Sequence, residues 1–318
     1  MDIFDGHCDV LYKMWKLRDR KLFYQNGDSL QASFARLKEG GVKVQTMAVY
    51  VPPDVPKEQR HYIALEMIDI LHTEVLSSTH KVELLTSASQ LDFINENDDT
   101  LYILLSLEGA DALQGDLMYL RTYYQLGLRS VGLTWNFRNE AADGVLERNP
   151  AGLSTFGLEL LREMNEFKIS IDISHLSEQG FWDCIEYSKQ PLSASHCNAR
   201  ALFNHPRNLY DKQIEAMFAQ KGLIGINFVP QFYNETGTDV SVKDVLKQVD
   251  YMLTLGGEDY IGFGSDFDGI SKTIHGLENA SKMADFANIL LQHYSASIVQ
   301  KLLMDNWKNY YKRLWNEV

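Results

Sequence analysis

The sequence predicts an α/β protein, a (β/α)8 barrel of the TIM type. Short apolar runs rich in β-branched residues, bounded by Gly, Pro, Asn or Asp, occur eight times along the chain. Between them lie segments with the three-and-four spacing of amphipathic helices. Several runs are almost continuously apolar, as Tyr102-Ile103-Leu104-Leu105 is, which suits parallel strands covered on both faces. Strands alternating with helices imply crossover connections and parallel pairing, and eight such units close into a barrel. An open doubly wound sheet is the competitor, but it would carry a glycine-rich turn after its first strand, and that turn is absent here.

In order, the expected strands are Ile3–Asp9, Val42–Val51, Leu101–Glu108, Ser130–Trp135, Ile169–His175, Leu192–His196, Leu223–Val229 and Tyr260–Asp266. Tyr62 to Leu76 reads as a helix because Ile63, Met67, Ile70, Leu71 and Val75 share one face. Thr155 to Phe167 repeats the pattern with Leu158, Leu161, Met164 and Phe167, and Val242 to Leu255 with Val245, Leu246, Val249, Met252 and Leu253. Ser297 to Trp315 reads as a terminal helix that offers Ile298, Leu302, Leu303, Trp307, Tyr310, Tyr311 and Leu314 for packing. No low-complexity linker and no repeat divides the chain, so residues 1–318 are expected to form a single barrel domain with a C-terminal helix.

Composition narrows the function. A 45% hydrophobic, 23% charged chain of 318 residues is globular rather than disordered. Its formal charge of −13 argues against nucleic-acid binding and against docking on anionic membranes, both of which need a basic surface. No run approaches the length of a membrane span. Three cysteines, Cys8, Cys184 and Cys197, are too few for a disulfide scaffold and suggest a reducing compartment. The N-terminus has neither a basic nor an apolar signal-peptide region and reads directly as a strand. A cytoplasmic protein is the expectation.

In such a barrel, catalytic groups sit at the C-terminal ends of the strands. Five of the eight expected strands end on metal-ligand residue types: His7-Cys8-Asp9, Glu108, His175, His196 and Asp266. His7 and Asp9, two apart, point to the same side of a strand and can share one ion. Imidazole and carboxylate donors together suit zinc or a similar first-row divalent ion. Five protein ligands are too many for one tetrahedral ion with an open position but suit two ions bridged by a carboxylate. Any one histidine at a strand end is commonly just packed and hydrogen-bonded. His61, His72 and His80, on or near a helix, are read as lining a solvated face, His205, His275 and His293 as packed histidines, and Cys8 and Cys197 as small buried packing groups. The joint placement of the others sets them apart, because a buried carboxylate such as Glu108 is costly without a cation or donors.

Asp5-Gly6-His7-Cys8-Asp9, Leu107-Glu108-Gly109-Ala110, Ile171-Asp172-Ile173-Ser174-His175, Ala194-Ser195-His196 and Gly262-Phe263-Gly264-Ser265-Asp266-Phe267-Asp268-Gly269 stand in this order. The pattern resembles the membrane dipeptidase (renal dipeptidase) family of zinc metallopeptidases, in its soluble bacterial form, and extends over nearly the whole chain. Each motif alone is weak; five in order are specific. The resemblance implies a metal-dependent hydrolase barrel with two zinc ions that cleaves dipeptides. It implies that His7 and Asp9 hold one ion, that His175 and His196 hold the other, and that Glu108 bridges them. It also implies that Arg207 grips the substrate's free carboxylate, a task for which a guanidinium fork is suited. Asp266 matches the family's proton-handling aspartate, and a homodimer is the family's usual state. Members often accept a D-residue at the C-terminal position.

One position departs. Where well-known members carry a histidine after Leu-Thr, this chain has Leu133-Thr134-Trp135-Asn136. An indole N–H donates a hydrogen bond but carries no charge. Either Trp135 or Asn136 donates to the scissile carbonyl, or the metal alone polarises it. The expected reaction is attack on the peptide carbonyl by a hydroxide bridging two cations, with Asp266 as general base and then acid. Two alternatives stay open: a related barrel metallohydrolase acting on another amide, an ester or a lactone, and a non-catalytic barrel that binds metal or peptide. Zinc, manganese and cobalt are not separated by such a ligand set.

Overall fold

In the computed structural model, which describes residues 1–25, 27–94 and 99–316, eight parallel strands close into a ring. They are β1 (Ile3–Cys8), β2 (Val42–Tyr50), β4 (Leu101–Glu108), β5 (Leu128–Gly132), β6 (Ser170–Asp172), β7 (Ser193–Ala194), β8 (Leu223–Asn227) and β9 (Ile261–Gly264). Each pairs with the next, and β1 pairs with both β2 and β9. All eight expected strands are present: β4 has the expected bounds, β5 is shifted towards its start (Leu128–Gly132 for the expected Ser130–Trp135), and the other six are shorter. The sequence missed β3 (Val82–Leu84), a three-residue strand that pairs with the start of β4. Flanked by Lys81 and carrying Glu83, it lacks the apolar length that marks the others.

Thr155–Phe167 is a helix as expected, started by Ser154, whose hydroxyl accepts from Gly157 N–H at 3.0 Å. Val242–Thr254 starts on a capping box made by Ser241 and Asp244. The other two expected helices are interrupted. Arg60–Ile70 continues as a π-helical turn, Leu71–Val75. The terminal segment runs Ala296–Gln300, then a π-helical turn Lys301–Asp305, then Asn306–Asn316. An extra residue per turn re-phases the helix, a change that apolar spacing cannot announce. No helix among the described residues is long and apolar enough to cross a membrane.

The apolar interior has two parts. The larger lies between strands and surrounding helices. The smaller fills the barrel lumen at the N-terminal ends of the strands and joins Phe4, Val44, Tyr102, Leu104 and Leu223 to Trp307, Tyr310, Tyr311 and Leu314 of the final helix. Trp307 and Tyr311 stack on Phe4 at ring-centroid distances of 5.5 and 5.8 Å, and Trp307 Nε1 donates to the Phe263 carbonyl at 3.1 Å. Gly6 and Gly262 make room, since a Cβ on either would lie within 2.7 Å of the indole. Trp307→Ala is expected to cost about 3–5 kcal/mol, read from the urea midpoint. A loss below about 1 kcal/mol would mean that the lumen collapses around the gap.

β1 changes direction between this plug and the mouth. Phe4 and Gly6 face the lumen, yet so do His7 and Asp9. Strict alternation would turn His7 outward. A register shift between Asp5 and Cys8 resolves this, as irregularities beside active sites commonly do. Cys8 packs in the outer core instead.

Candidate active site

The mouth of the barrel collects the residues that the sequence singled out. His7 and Asp9 come from the end of β1 and Glu108 from the end of β4. His175 lies just past β6, His196 just past β7 and Asp266 just past β9. His175 and Asp266 adopt left-handed backbone with φ of 67° and 64°. Outside glycine that conformation is uncommon and concentrates at functional sites. Gly269 lets the loop after β9 press onto the site, because a Cβ there would fall 2.2 Å from Asp9 Oδ2 and 2.5 Å from Asp266 Oδ1.

Glu108 lies at the centre, and its two oxygens divide the cluster. Oε2 faces His7 Nε2 at 3.7 Å, while Oε1 faces His175 Nε2 at 3.0 Å and His196 Nε2 at 3.7 Å. His7 Nε2 lies 3.5 Å from Asp9 Oδ2. His7, Glu108 and His196 bring one donor atom each within 4.8 Å of one another, as do His7, Asp9 and Asp266.

The hydrogen bonds behind the two distal histidines fix what they present. His175 Nδ1 meets Asn136 Oδ1 at 2.7 Å; an amide oxygen only accepts, so the ring proton is on Nδ1. His196 Nδ1 meets Ser195 Oγ at 2.7 Å, and that hydroxyl donates to Asp172 Oδ2 at 2.5 Å. His196 therefore also carries its proton on Nδ1. Both Nε2 atoms point bare lone pairs at each other, 2.9 Å apart, and at a carboxylate oxygen. Buried acceptors gathered in this way repel unless a cation lies among them. His7 Nε2 and Asp9 Oδ1 likewise find no hydrogen-bond partner among the described residues while buried. The donor set fits divalent metal ions.

The electrostatics agree. Burial, then the nearby Arg207 and His7, holds the His175 imidazole well below its ordinary value; at His196 burial acts first, then His7 and Arg207. Burial lifts the Glu108 carboxyl well above the usual range, with Asp9 adding to it and His7 opposing. Burial lowers the His7 imidazole, but Glu108, Asp9 and Asp266 outweigh it and push it up to about 10. A metal ion binding there must displace that proton.

A cavity of about 380 Å³ opens above the cluster, lined by Asp9, Glu108, His175, Arg207 and Asp266. Arg207 is 5% exposed. Its guanidinium meets the His196 carbonyl at 3.4 Å and the Cys197 sulfur at 3.8 Å, and stands over the Phe232 ring at 5.4 Å. No carboxylate lies within ion-pair distance of it among the described residues, and its Nε has no partner. A buried cation so placed awaits an anion. Trp135 forms a wall of the cavity between Tyr50 and His175, at ring-centroid distances of 5.2 and 6.0 Å. Asn136 also lines it, but its amide oxygen is taken by His175.

Other lining residues were not singled out from sequence: Tyr12, Tyr50, Leu146, Phe232 and His205, which had been read as an ordinary packed histidine. His205 alone carried a usable signal, lying two residues before Arg207 in one loop. Tyr50 ends β2, Tyr12 lies in the first turn of the helix after β1, and Leu146 and Phe232 arrive from the connections that follow β5 and β8. Cys197 packs beside Arg207, and all three cysteines are buried free thiols.

Comparison with known proteins adds the following. Residues 1–317 match the membrane dipeptidase family, peptidase family M19. The dipeptidase aclJ of Aspergillus oryzae is 32% identical over 311 residues, covering 90% of this chain and 72% of that protein. The crystal structure of dipeptidase AC, a metallopeptidase of family M19, superposes with a TM-score of 0.92 at 30% identity, covering 100% of this chain and 99% of that one. A metallopeptidase from Rhodobacter sphaeroides, crystallised with a phosphinate mimic of the dipeptide L-Ala-D-Ala, superposes with a TM-score of 0.92 at 28% identity over 99% of both chains.

Proposed function

The chain belongs to the membrane dipeptidase family of metallopeptidases, and from that premise we propose that it hydrolyses dipeptides, L-Xaa-D-Xaa among them, with two zinc ions held at the barrel mouth. The observation that carries the two-ion reading is the division of Glu108, one oxygen toward His7 and the other toward the His175–His196 pair. His7 with Asp9 forms one ligand set, His175 with His196 the second, and Glu108 belongs to both. The relative crystallised with an L-Ala-D-Ala mimic supports the inclusion of D-residues at the C-terminal position.

Bound divalent ions supply a nucleophilic water at neutral pH and a Lewis acid for the scissile carbonyl. The chain's own residues do the rest. Arg207 pairs with the free carboxylate of the peptide and thereby fixes which bond lies over the cluster. That anchor limits productive binding to short peptides. Asp266, held by Asn227 Nδ2 at 3.1 Å, takes a proton from the attacking water and returns it to the leaving amine. Trp135 closes one side of the cavity against water and presents an apolar face to the substrate.

Removing the charged anchor is expected to cost about 10–100-fold in kcat/KM, the scale of one charge-assisted hydrogen bond. Arg207→Ala should show this loss mainly as a raised KM, and C-amidated dipeptides should be poor substrates of the wild type and indifferent to the change. The direct test is hydrolysis of a mixed pool of L,L and L,D dipeptides, with N-acetylated and C-amidated controls, before and after zinc is stripped and restored. Cleavage that needs both metal and a free C-terminal carboxylate supports the reading. Metal-dependent activity that ignores amidation would point instead to a hydrolase of other amides, esters or lactones.

A further inference from the structure

Two buried aspartates, neither in the ligand set nor facing the cavity, make the same three contacts at two seams of the barrel. At the β6–β7 seam, Asp172 Oδ1 accepts the Ser174 and Ser195 N–H groups at 3.0 and 2.9 Å, while Oδ2 accepts the Ser195 hydroxyl at 2.5 Å. At the β9–β1 seam, Asp5 Oδ1 accepts the His7 and Ser265 N–H groups at 3.4 and 2.8 Å, while Oδ2 accepts the Ser265 hydroxyl at 2.6 Å. In both, one oxygen takes the N–H two residues ahead and the N–H of a serine on the neighbouring strand's end. The other oxygen takes that serine's hydroxyl. In both, the serine immediately precedes a residue of the mouth, His196 or Asp266. Another follows the aspartate by two or three residues on its own side of the seam, His7 at the end of β1 or His175 just past β6.

We propose that Asp5–Ser265 and Asp172–Ser195 are two matched clasps whose function is to position the site, each aiming one residue from either side of its seam. Asp172 and Ser195 hold His175 and His196. Asp5 and Ser265 hold His7 and Asp266. The second clasp reaches further, because the Ser195 hydroxyl, having donated to Asp172, accepts from His196 Nδ1 at 2.7 Å. It thereby dictates which nitrogen of His196 faces the centre. At the first clasp, the serine hydroxyl instead accepts from Phe267 N–H at 3.2 Å, which shapes the turn that carries Asp266. A carboxylate behind a ligating histidine is a familiar means of raising its affinity for metal; here a serine is inserted between the two, and the same carboxylate also ties down the strand that bears the second histidine. The aspartates are positioning residues and touch neither substrate nor metal. Only the consequence for metal affinity rests on the two-ion reading.

The test uses Ser195→Ala, Ser195→Thr, Asp172→Asn and Ser265→Ala, with two readouts. In the metal-free protein, long-range proton–nitrogen NMR of 15N-labelled histidines reads the tautomer of His196. Wild type and Ser195→Thr are expected to show the Nδ1–H form alone, and Ser195→Ala and Asp172→Asn a mixture; Ser265→Ala should leave His196 unchanged. Cobalt titration followed by visible absorption then reads the metal positions. Ser195→Ala should weaken one of two binding steps by about 10–100-fold and Ser195→Thr should restore it, while Ser265→Ala should lower kcat with KM nearly unchanged. A single Nδ1–H tautomer together with wild-type cobalt affinity in Ser195→Ala would overturn the proposal. Should Asp172→Asn not fold, Ser195→Ala decides alone. If the tautomers behave as expected but wild type binds fewer than two cobalt ions, the clasp stands and the two-ion reading falls.

Discussion

Glu108→Gln is expected to lose bound metal and activity together, with hydrolysis reduced by more than about 100-fold, beyond what loss of an outer-shell partner causes. Gln fills the same space but offers one acceptor oxygen in place of two and carries no charge. The His7 side would retain Asp9 as an anionic ligand. The side formed by His175 and His196 would be left with neutral imidazoles alone and should empty first. Metal content after exhaustive dialysis should therefore fall to at most one ion per chain. The metal-free variant should be no less stable than metal-free wild type, because Gln removes a buried acid that burial disfavours. A melt of both forms separates ligand loss from misfolding. Full activity with two ions retained would sink the bridging assignment.

Asp266→Asn is expected to leave metal content intact and to reduce kcat by about 10²–10⁴-fold, the usual contribution of a positioned acid–base group. Burial pushes the Asp266 carboxyl up to about 6, with Asp9 adding to the rise and His7 and Asn227 opposing it. A general base works in its ionised form. In wild type, kcat/KM should thus fall as pH drops through about 6, with bound divalent ions drawing that limb lower. In Asp266→Asn the residual activity should lack the limb. An acid limb that persists unchanged in the variant would assign the titration to another group and remove Asp266 from the proton path.

Much of this could be read before any coordinates. The eight barrel strands were legible because buried parallel strands are short, apolar and punctuated. His7, Asp9, Glu108, His175 and His196 were legible because each interrupts or ends such a run with a polar residue that burial would otherwise penalise. The structure brings these five side chains together at the mouth. β3 was not legible, being three residues long with a charged residue, Glu83, at its middle. Nor were the π-helical turns, which change the phase of a helix without changing its composition. The side on which His7 falls was inferred from its spacing to Asp9, yet alternation counted from Phe4 would have placed it outside. Only the register shift in β1 reconciles the two. Tyr12, Tyr50 and Phe232 were invisible as site residues, since nothing local distinguishes a cavity wall from ordinary packing. Asp5 and Asp172 stood inside the quoted motifs, but a carboxylate that braces its neighbours looks in sequence like one that binds.

The aromatic plug has a consequence for the order in which the molecule can be made. β1 emerges from the ribosome before the other strands, and Trp307 emerges after all of them. Until it does, Phe4 lacks the two rings that stack on it, Gly6 lacks the indole it makes room for, and the lumen is only partly filled at its base. The first strand can pair with β2 early, but its closure against β9 and its packing on the indole both await the far end of the chain. A nascent chain stalled short of Trp307 therefore holds an open sheet with an exposed lumen face, the species on which chaperones act and from which aggregates grow. His7 and Asp9, beside that same strand, reach their final places only when the base of the barrel is stoppered, so the cluster at the mouth takes its final geometry only after Trp307 has been made.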